Sequence, residues 1–273
     1  MSYAPAIPLS GYAGWTFLSR TLSSQTTALT QTPQYKRDED YFRANIGKID
    51  TAEQLVKDRR LLGVALGAFG LDNDINNKFF IQKVLQDGTF NPSALANKLA
   101  DKQYQKLSAA FGFGDLPIPR SKISDFADKI LGQYRDKQFE RAVGTQNNDF
   151  RLALNLQREL PQIANNASSS ENAKWFSVMG STPLRTVFQT ALGLPASTAQ
   201  LDLDQQLSIF KSKAKAQFGS DSLSQFAQPA AMDKLVKRYL LRSELDSFSQ
   251  TNQAGTALTL MQQALASQRR YRV

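Results

Sequence analysis

The chain has 273 residues, 41% of them hydrophobic, with 33 Lys plus Arg against 24 Asp plus Glu for a net charge of +9. That length holds one large domain or two modest ones around a buried core. Cys and His are both absent, which excludes disulfides, thiolate zinc sites, iron–sulfur clusters, Cys nucleophiles, the Ser-His-Asp triad and most transition-metal centres.

What remains for an enzyme is carboxylate or Lys chemistry. No spacing of acids in the sequence marks such a site. The expectation is a protein without catalytic residues, bound cofactor or metal. No apolar run approaches the roughly 18 residues of a membrane span, so none is expected. The start, "MSYAPAIPLSGYAGW", has neither the basic n-region nor the apolar h-region of a secretory signal.

Residues 1–36 are polar and nearly free of charge, with Pro5, Pro8 and Pro33. They read as an extended arm with one short helix around 15–30, either a tail or a segment that orders on a partner. Gly11, Tyr12, Gly14, Trp15 and Phe17 form an aromatic patch in it. Trp15 is the candidate anchor for a partner, with Phe17 beside it.

Asp38, Glu39 and Asp40 suit a helix N-terminus, and Tyr41, Phe42, Ile46 and Ile49 follow helical spacing. Asp50 or Thr51 caps the next helix, with Glu53 nearby. Leu55, Leu62, Leu66 and Phe69 form its apolar stripe. Gly70 is placed to end that helix in the left-handed conformation, with Leu71 packing back on the last turn.

Ile75, Phe79, Val84 and Leu85 make another amphipathic helix ending at Asp87-Gly88. A helix after Pro92 carries Leu95, Leu99, Tyr104, Leu107 and Phe111, breaks near Asp101, and stops at Gly112 before the loop "GDLPIPR". A long helical stretch runs from Ser121 to Leu160, with Gly144 a point where it divides in two and Pro161 its end.

The second half restarts at "WFSVMGSTPLRTVFQTALGLP", where Ser181 or Thr182 caps a helix with Pro183 near its first position and Gly193 past its end. Further helices cover "LDQQLSIFKSKAKAQFG" and "AAMDKLVKRYLLRSELD". The tail puts Leu258, Met261 and Leu265 on one face. No stretch alternates with period two. The chain reads as all-α and multi-helical: an arm (1–36), a first helical half (37–160) and a second (171–273), the two halves also readable as one compact domain.

Three apolar stretches close on an aromatic residue or Leu, then Gly, then an apolar residue: Phe69-Gly70-Leu71, Phe111-Gly112-Phe113 and Leu192-Gly193-Leu194. One explanation is a stop signal that unrelated helices share. The other is an internally repeated unit. Placing Leu61 on Leu184 aligns Val64 with Val187, Ala68 with Ala191 and Gly70 with Gly193. With three residues inserted, Ile81 then meets Leu207 and Val84 meets Phe210.

Other motifs lead to weaker chemistry. The Gly-rich stretches lack the phosphate-loop spacing. Asp72 and Asp74 have calcium-like spacing, but the Gly and Glu that complete such a loop are missing, so a turn with a helix cap is expected. Lys234, Lys237, Arg238 and Arg242 share a helix, as a solvated face or as a basic surface for an acidic partner or nucleic acid. Arg269, Arg270 and Arg272 form the one tight basic cluster.

The blocks "GYAGWTFLSRT", "RDEDYFRANIGKIDTAEQLVKDRRLLGVALGAFGLDNDINNKFFIQKVLQDGT" and "ALANKLADKQYQKLSAAFGFGD" resemble an uncharacterised family of alpha-proteobacterial proteins that occur in flagellar gene clusters. The resemblance is strong over residues 11–115. It implies a flagellum-associated role, with other flagellar or assembly proteins as partners, and brings no catalytic residues. The expectation is a non-enzymatic assembly factor or minor structural component. It would stay in the cytoplasm or be exported without a cleaved signal by the flagellar system. The alternative is a basic nucleic-acid-binding or regulatory protein, on the +9 charge and the basic helix.

Overall fold

A computed structural model describes residues 3–270 of the chain, with side chains through residue 249. Helices α1 (Gly11–Thr30), α2 (Pro33–Asn45), α3 (Ala52–Lys57), α4 (Arg59–Phe69), α5 (Lys78–Asp87), α6 (Leu95–Lys98) and α7 (Gln103–Phe111) come first. They are followed by α8 (Phe126–Gly144), α9 (Asn148–Ala164), α10 (Glu171–Gly180), α11 (Thr182–Leu192), α12 (Leu203–Phe218) and α13 (Pro229–Arg270). Among the described residues there is no strand, and the fold is all-α. The chain divides into two compact units, Met1–Pro8 with Gly14–Leu154 and Leu9–Ala13 with Asn155–Val273.

In the first unit α4 is the central helix. Leu61, Leu62, Val64, Ala65, Leu66 and Phe69 are all buried, and the helix packs mainly along α8. Phe42, Leu55, Ile81, Leu85, Leu107, Phe111 and Ile130 close the core around it.

The helix expected to run unbroken from Asp50 divides at Asp58. Thr51 caps α3 by accepting from the Gln54 N–H at 3.2 Å. Asp58 then starts a new helix, its Oδ1 accepting from the N–H groups of Arg60 and Leu61 at 2.9 and 3.0 Å. An Asp in extended backbone that satisfies two free donors is an N-cap, and here it turns the chain between α3 and α4.

The polar N-terminal segment, expected as an extended arm with one short helix around 15–30, holds that helix as α1, and the helix packs into a core instead of standing out as an arm. Trp15, Leu18 and Leu29 of α1 and Tyr35 of α2 are buried. Gln25 is buried on the same stripe, where it accepts from the Ala6 N–H at 2.8 Å and donates to the Ala6 carbonyl at 3.1 Å. A satisfied Gln at a core position carries little energetic penalty, so a stripe that looks too polar for a core still packs as one.

The long stretch expected from 121 to 160 divides at Gly144, where α8 ends. Asn147 caps α9 by accepting from the Phe150 N–H at 3.0 Å. Pro161 lies inside α9 rather than ending it. It sits in the last turn, where losing one donor costs a single intrahelical bond, and Leu160 and Ala164 beside it are buried.

The three glycine stops take the expected form. Gly70, Gly112 and Gly193 lie past the ends of α4, α7 and α11 with φ of 74°, 68° and 67°. At Gly70 the Leu71 N–H reaches back to the Leu66 carbonyl at 2.9 Å while the Gly70 N–H meets Gly67 at 3.3 Å. At Gly193 the Leu194 N–H meets Gln189 at 2.9 Å and the Gly193 N–H meets Thr190 at 3.0 Å. Both are Schellman caps with the same register. Gly112 makes the simpler cap, a single bond to Ser108 at 2.9 Å.

Only α4 and α11 therefore share the full ending, and they share more. Each has eleven residues and packs mainly on the long helix of its own unit, α8 or α13. The aligned pairs Leu61/Leu184, Val64/Val187, Ala68/Ala191, Ile81/Leu207 and Val84/Phe210 are buried on both sides.

Replacing Gly70 by Val should lower stability by about 1–3 kcal/mol, since a β-branched residue is strained at that φ. Asn, which tolerates the left-handed region, should cost less. Thermal melts of the two variants check this, and equal losses would refute the capping account.

Candidate functional site

The residues singled out as partner contacts fall in different places. Trp15, expected as an anchor, is buried in the first unit with its ring edge-on to Phe150 at 6.0 Å. A side chain committed to its own core cannot serve a partner without local unfolding. Phe17, two residues on, is 37% exposed on α1.

The four cations of α13 lie in the second unit. Helical spacing puts them on one side of α13, and each meets a partner of its own. Arg238 Nε donates to the Ala191 carbonyl at 2.7 Å, and the Arg242 guanidinium lies against Gly193. Both arginines thus sit on the C-terminus of α11, whose free carbonyls and dipole favour positive charge. Burial, with Arg242 as a like-charged neighbour, lowers the Arg238 pKa from its ordinary value. The first unit repeats the device with Lys137 of α8, whose aliphatic stem lies over Gly70 at the end of α4.

Lys234 and Lys237 are exposed but engaged with aromatic rings. The Lys234 Nζ lies 5.7 Å from the Phe218 ring centroid. The Lys237 Nζ lies 5.1 Å from the Tyr12 ring. The Tyr12 hydroxyl in turn donates to the Asp233 carboxylate at 3.3 Å. Burial and then Asp233 raise the Tyr12 pKa. The basic helix face is therefore a set of structural contacts holding α11, α12 and the segment Leu9–Ala13 to α13. Sequence spacing placed the charges correctly on the helix but could not show which elements they meet.

Past Leu240 the described part of α13 has no buried side chain. Leu241, Leu245 and Phe248 are 44%, 64% and 68% exposed and recur at helical spacing on one side. Charged residues, Arg242, Glu244 and Asp246, flank the line. An exposed apolar line on a helix is the geometry that receives a second helix or an apolar groove. The amphipathic spacing of the sequence puts Leu245 on one apolar stripe with Leu235, Tyr239 and Leu240 and does not single out Leu241 or Phe248, but Leu245 is exposed where the other three are buried.

Asp72 and Asp74 serve the fold. Asp72 accepts from Gln138 and from Arg141, both at 2.8 Å. Asp74 accepts from the Tyr104 hydroxyl and from Asn77, both at 2.7 Å. Burial, then Asp74, pushes the Tyr104 pKa up to about 12. Among the described residues, no group of three or more Asp and Glu is placed to hold a metal ion. The Arg269 and Arg270 side chains, and Arg272 altogether, lie outside the described residues.

The most strongly organised carboxylate is Glu171 at the start of α10. Partial burial raises its pKa, but hydrogen bonds from Lys174 (2.9 Å), Ser222 (2.9 Å), the Leu223 N–H (2.9 Å) and Ser224 (3.1 Å) outweigh that and hold it at about 2. Lys174, itself buried, also donates to the Ala164 carbonyl at 3.0 Å. The cluster ties α9, α10 and the turn before α13 together.

A depressed carboxylate stabilises the fold above its unfolded pKa and loses that contribution as pH falls. Acid should therefore weaken the second unit between about pH 4.5 and 2. Glu171→Gln should lower the melting temperature at pH 7 and flatten its fall over that range. Parallel pH profiles for the two proteins would show that Glu171 is not the group responsible.

Residues 68–232 match a family described as a protein of unknown function, DUF1217. The chain belongs to the DUF1217 family. A protein of Agrobacterium tumefaciens solved by X-ray crystallography is similar over 89% of this chain and 99% of its own, with a TM-score of 0.71 and 24% identity. At that identity the likeness is one of fold. No curated protein matches the chain significantly. The DUF1217 segment takes in Gly70, Gly112 and Gly193 and the Glu171 cluster. It stops short of Lys234 and of the exposed line on α13, and Trp15 and Phe17 precede it. No helix among the described residues is long and apolar enough to cross a membrane.

Proposed function

We propose that the protein is a non-enzymatic, flagellum-associated helical component that acts by protein–protein contacts, as an assembly factor or minor structural part. The observation that carries the binding role is the exposed line Leu241, Leu245 and Phe248 on α13, past the point where that helix leaves its core. Apolar side chains displayed in a row at helical spacing are costly in water and favour a partner surface. The absence of His and Cys, and carboxylates engaged in structural hydrogen bonds, support a role without chemistry. The flagellar assignment is supported by the sequence resemblance over residues 11–115.

The test is genetic and biochemical together. A strain lacking the gene should lose normal flagella or motility. Full-length protein should recover flagellar components from motile cells, and the double variant Leu245→Asp with Phe248→Asp should not. Normal flagella and motility in the deletion strain would overturn the flagellar reading. Equal recovery by both proteins would move the contact off this line.

A nucleic-acid-binding role keeps the +9 charge in its favour. Against it, the arginines of α13 cap α11 and its lysines sit on aromatic rings, which leaves few of them free to neutralise phosphate. Retention on heparin that falls with salt would support that role.

A further inference from the structure

We infer that the outer side of α13 receives an acidic amphipathic helix of a partner protein, whose apolar residues cover Leu241, Leu245 and Phe248 while its carboxylates meet Lys234 and Lys237. The inference rests on the reading of that line as the partner contact and names the chemistry of what binds there.

Lys234, Lys237, Leu241, Leu245 and Phe248 follow one another in steps of three, four, four and three. At about 100° per residue all five fall within an arc of roughly 80°, and they run along about 21 Å of helix. Met232, Leu235, Val236 and Tyr239, on the opposite side, are buried in the unit. Both lysines are exposed, as are the three apolar side chains. The stripe is therefore one outward seam, cationic at its first two positions and apolar at the last three. Steps of three and four are the spacing at which one helix packs along another. The apolar part is one side chain wide, which suits a helix rather than a broad surface.

Charge selects the kind of partner. The Phe218 ring lies 5.7 Å from the Lys234 Nζ and the Tyr12 ring 5.1 Å from the Lys237 Nζ. A ring engages one face of an ammonium that carries three donors, so the rings position the two cations without exhausting them. Cations three residues apart match carboxylates one turn apart on a facing helix. An anionic membrane also takes up exposed Leu and Phe beside Lys. Here Asp233 and Glu244 line one edge of the seam, while Arg238 and Arg242 on the other edge are turned onto the end of α11. A membrane averages these charges, two lysines against two acids, and gains little. A helix places its carboxylates on the lysines alone. Among the described residues no other helix exposes more than one large apolar side chain, so a second copy offers only its own α13. That would set the lysines against each other in a parallel pair, or against Leu245 and Phe248 in an antiparallel one centred on Leu241.

The test uses full-length protein and two synthetic helical peptides with the same line of leucines. One carries two Glu at the positions that face Lys234 and Lys237, and the other carries two Lys there. By fluorescence anisotropy the Glu peptide should bind roughly tenfold more tightly. Lys234→Glu with Lys237→Glu should reverse that preference and leave the melting temperature near that of the wild type. Equal binding of both peptides, lost together in Leu245→Asp with Phe248→Asp, would overturn the acidic partner and keep the line as the contact. Binding that survives Leu245→Asp with Phe248→Asp would remove the line itself. Binding of neither peptide would overturn the helical partner. Uptake by phosphatidylcholine–phosphatidylserine vesicles that Lys234→Glu with Lys237→Glu abolishes would give the seam to a membrane instead. Self-association in sedimentation that Leu245→Asp with Phe248→Asp abolishes would give it to a second copy. In motile cells a photocrosslinking residue in place of Phe248 should join a segment with an apolar stripe and two carboxylates one turn apart, and a joined segment without acids would refute the inference.

Discussion

Replacing Trp15 by Ala should destabilise the first unit by about 3–5 kcal/mol, the usual cost of removing a large buried aromatic side chain. Trp15 is 3% exposed, sits one turn before the fully buried Leu18, and meets Phe150 edge-on. Deleting its ring removes apolar burial and leaves a cavity the neighbours fill only in part. Against a typical stability of about 5–15 kcal/mol, that is a large fraction. Denaturant melts followed by circular dichroism check it. The sequence holds two tryptophans, so Trp175 stays in the variant as a fluorescent reporter of the second unit. An exposed anchor on an arm would change stability by less than about 0.5 kcal/mol, so a small effect would return Trp15 to the surface. A truncation that removes residues 1–36 should for the same reason damage the first unit.

That prediction marks where sequence reasoning went astray. α1 carries Trp15, Leu18, Leu22, Gln25 and Leu29 in alternating steps of three and four, a helical stripe with one polar member. Its Ser, Thr and Gln content and its single charge, Arg20, imitate disorder, and the buried Gln25 breaks the apolar count. The polar residue is tolerated because Ala6, remote in sequence and close in space, satisfies it. No periodicity can show that. Asp58 was missed for a related reason. One Asp inside "VKDRRLL" reads as a charge on a helix surface, and its capping role appears only once the chain has turned.

Glycine ends were legible because their cause is local. An apolar last turn followed by Gly requires only the backbone of that turn and the freedom of one residue. Gly70, Gly112 and Gly193 all conform, and the repeat reading gains a physical basis from the shared hydrogen-bond register of α4 and α11. The basic residues of α13 lie at the other extreme. Spacing identified their helix correctly, yet whether a cation faces water or a neighbouring helix end depends on contacts many residues away. The exposed line Leu241, Leu245 and Phe248 was hidden in the same manner, since amphipathic spacing does not say where a core stops.

Gly67→Val should cost about 3 kcal/mol, and its reason is a close crossing rather than a backbone angle. A Cβ at Gly67 would lie 2.6 Å from Tyr134 Cε2 and 2.9 Å from Gln138 Nε2 of α8. Neither neighbour can give way freely. Tyr134 is stacked on Tyr35 at 5.3 Å, and Gln138 donates to Asp72 at 2.8 Å. Separating α4 from α8 would open the contact on which the first unit is built. The sign separates this effect from helix propensity, because a helix-interior Gly replaced by Ala ordinarily gains about 1 kcal/mol. Gly132 of α8 has nothing within 4 Å of its Cβ position, so Gly132→Ala should raise the melting temperature. Gly67→Ala should lower it, despite gaining the same propensity. If both rose, α4 and α8 would have room to spare at Gly67, and the tight crossing would not be what sets their distance.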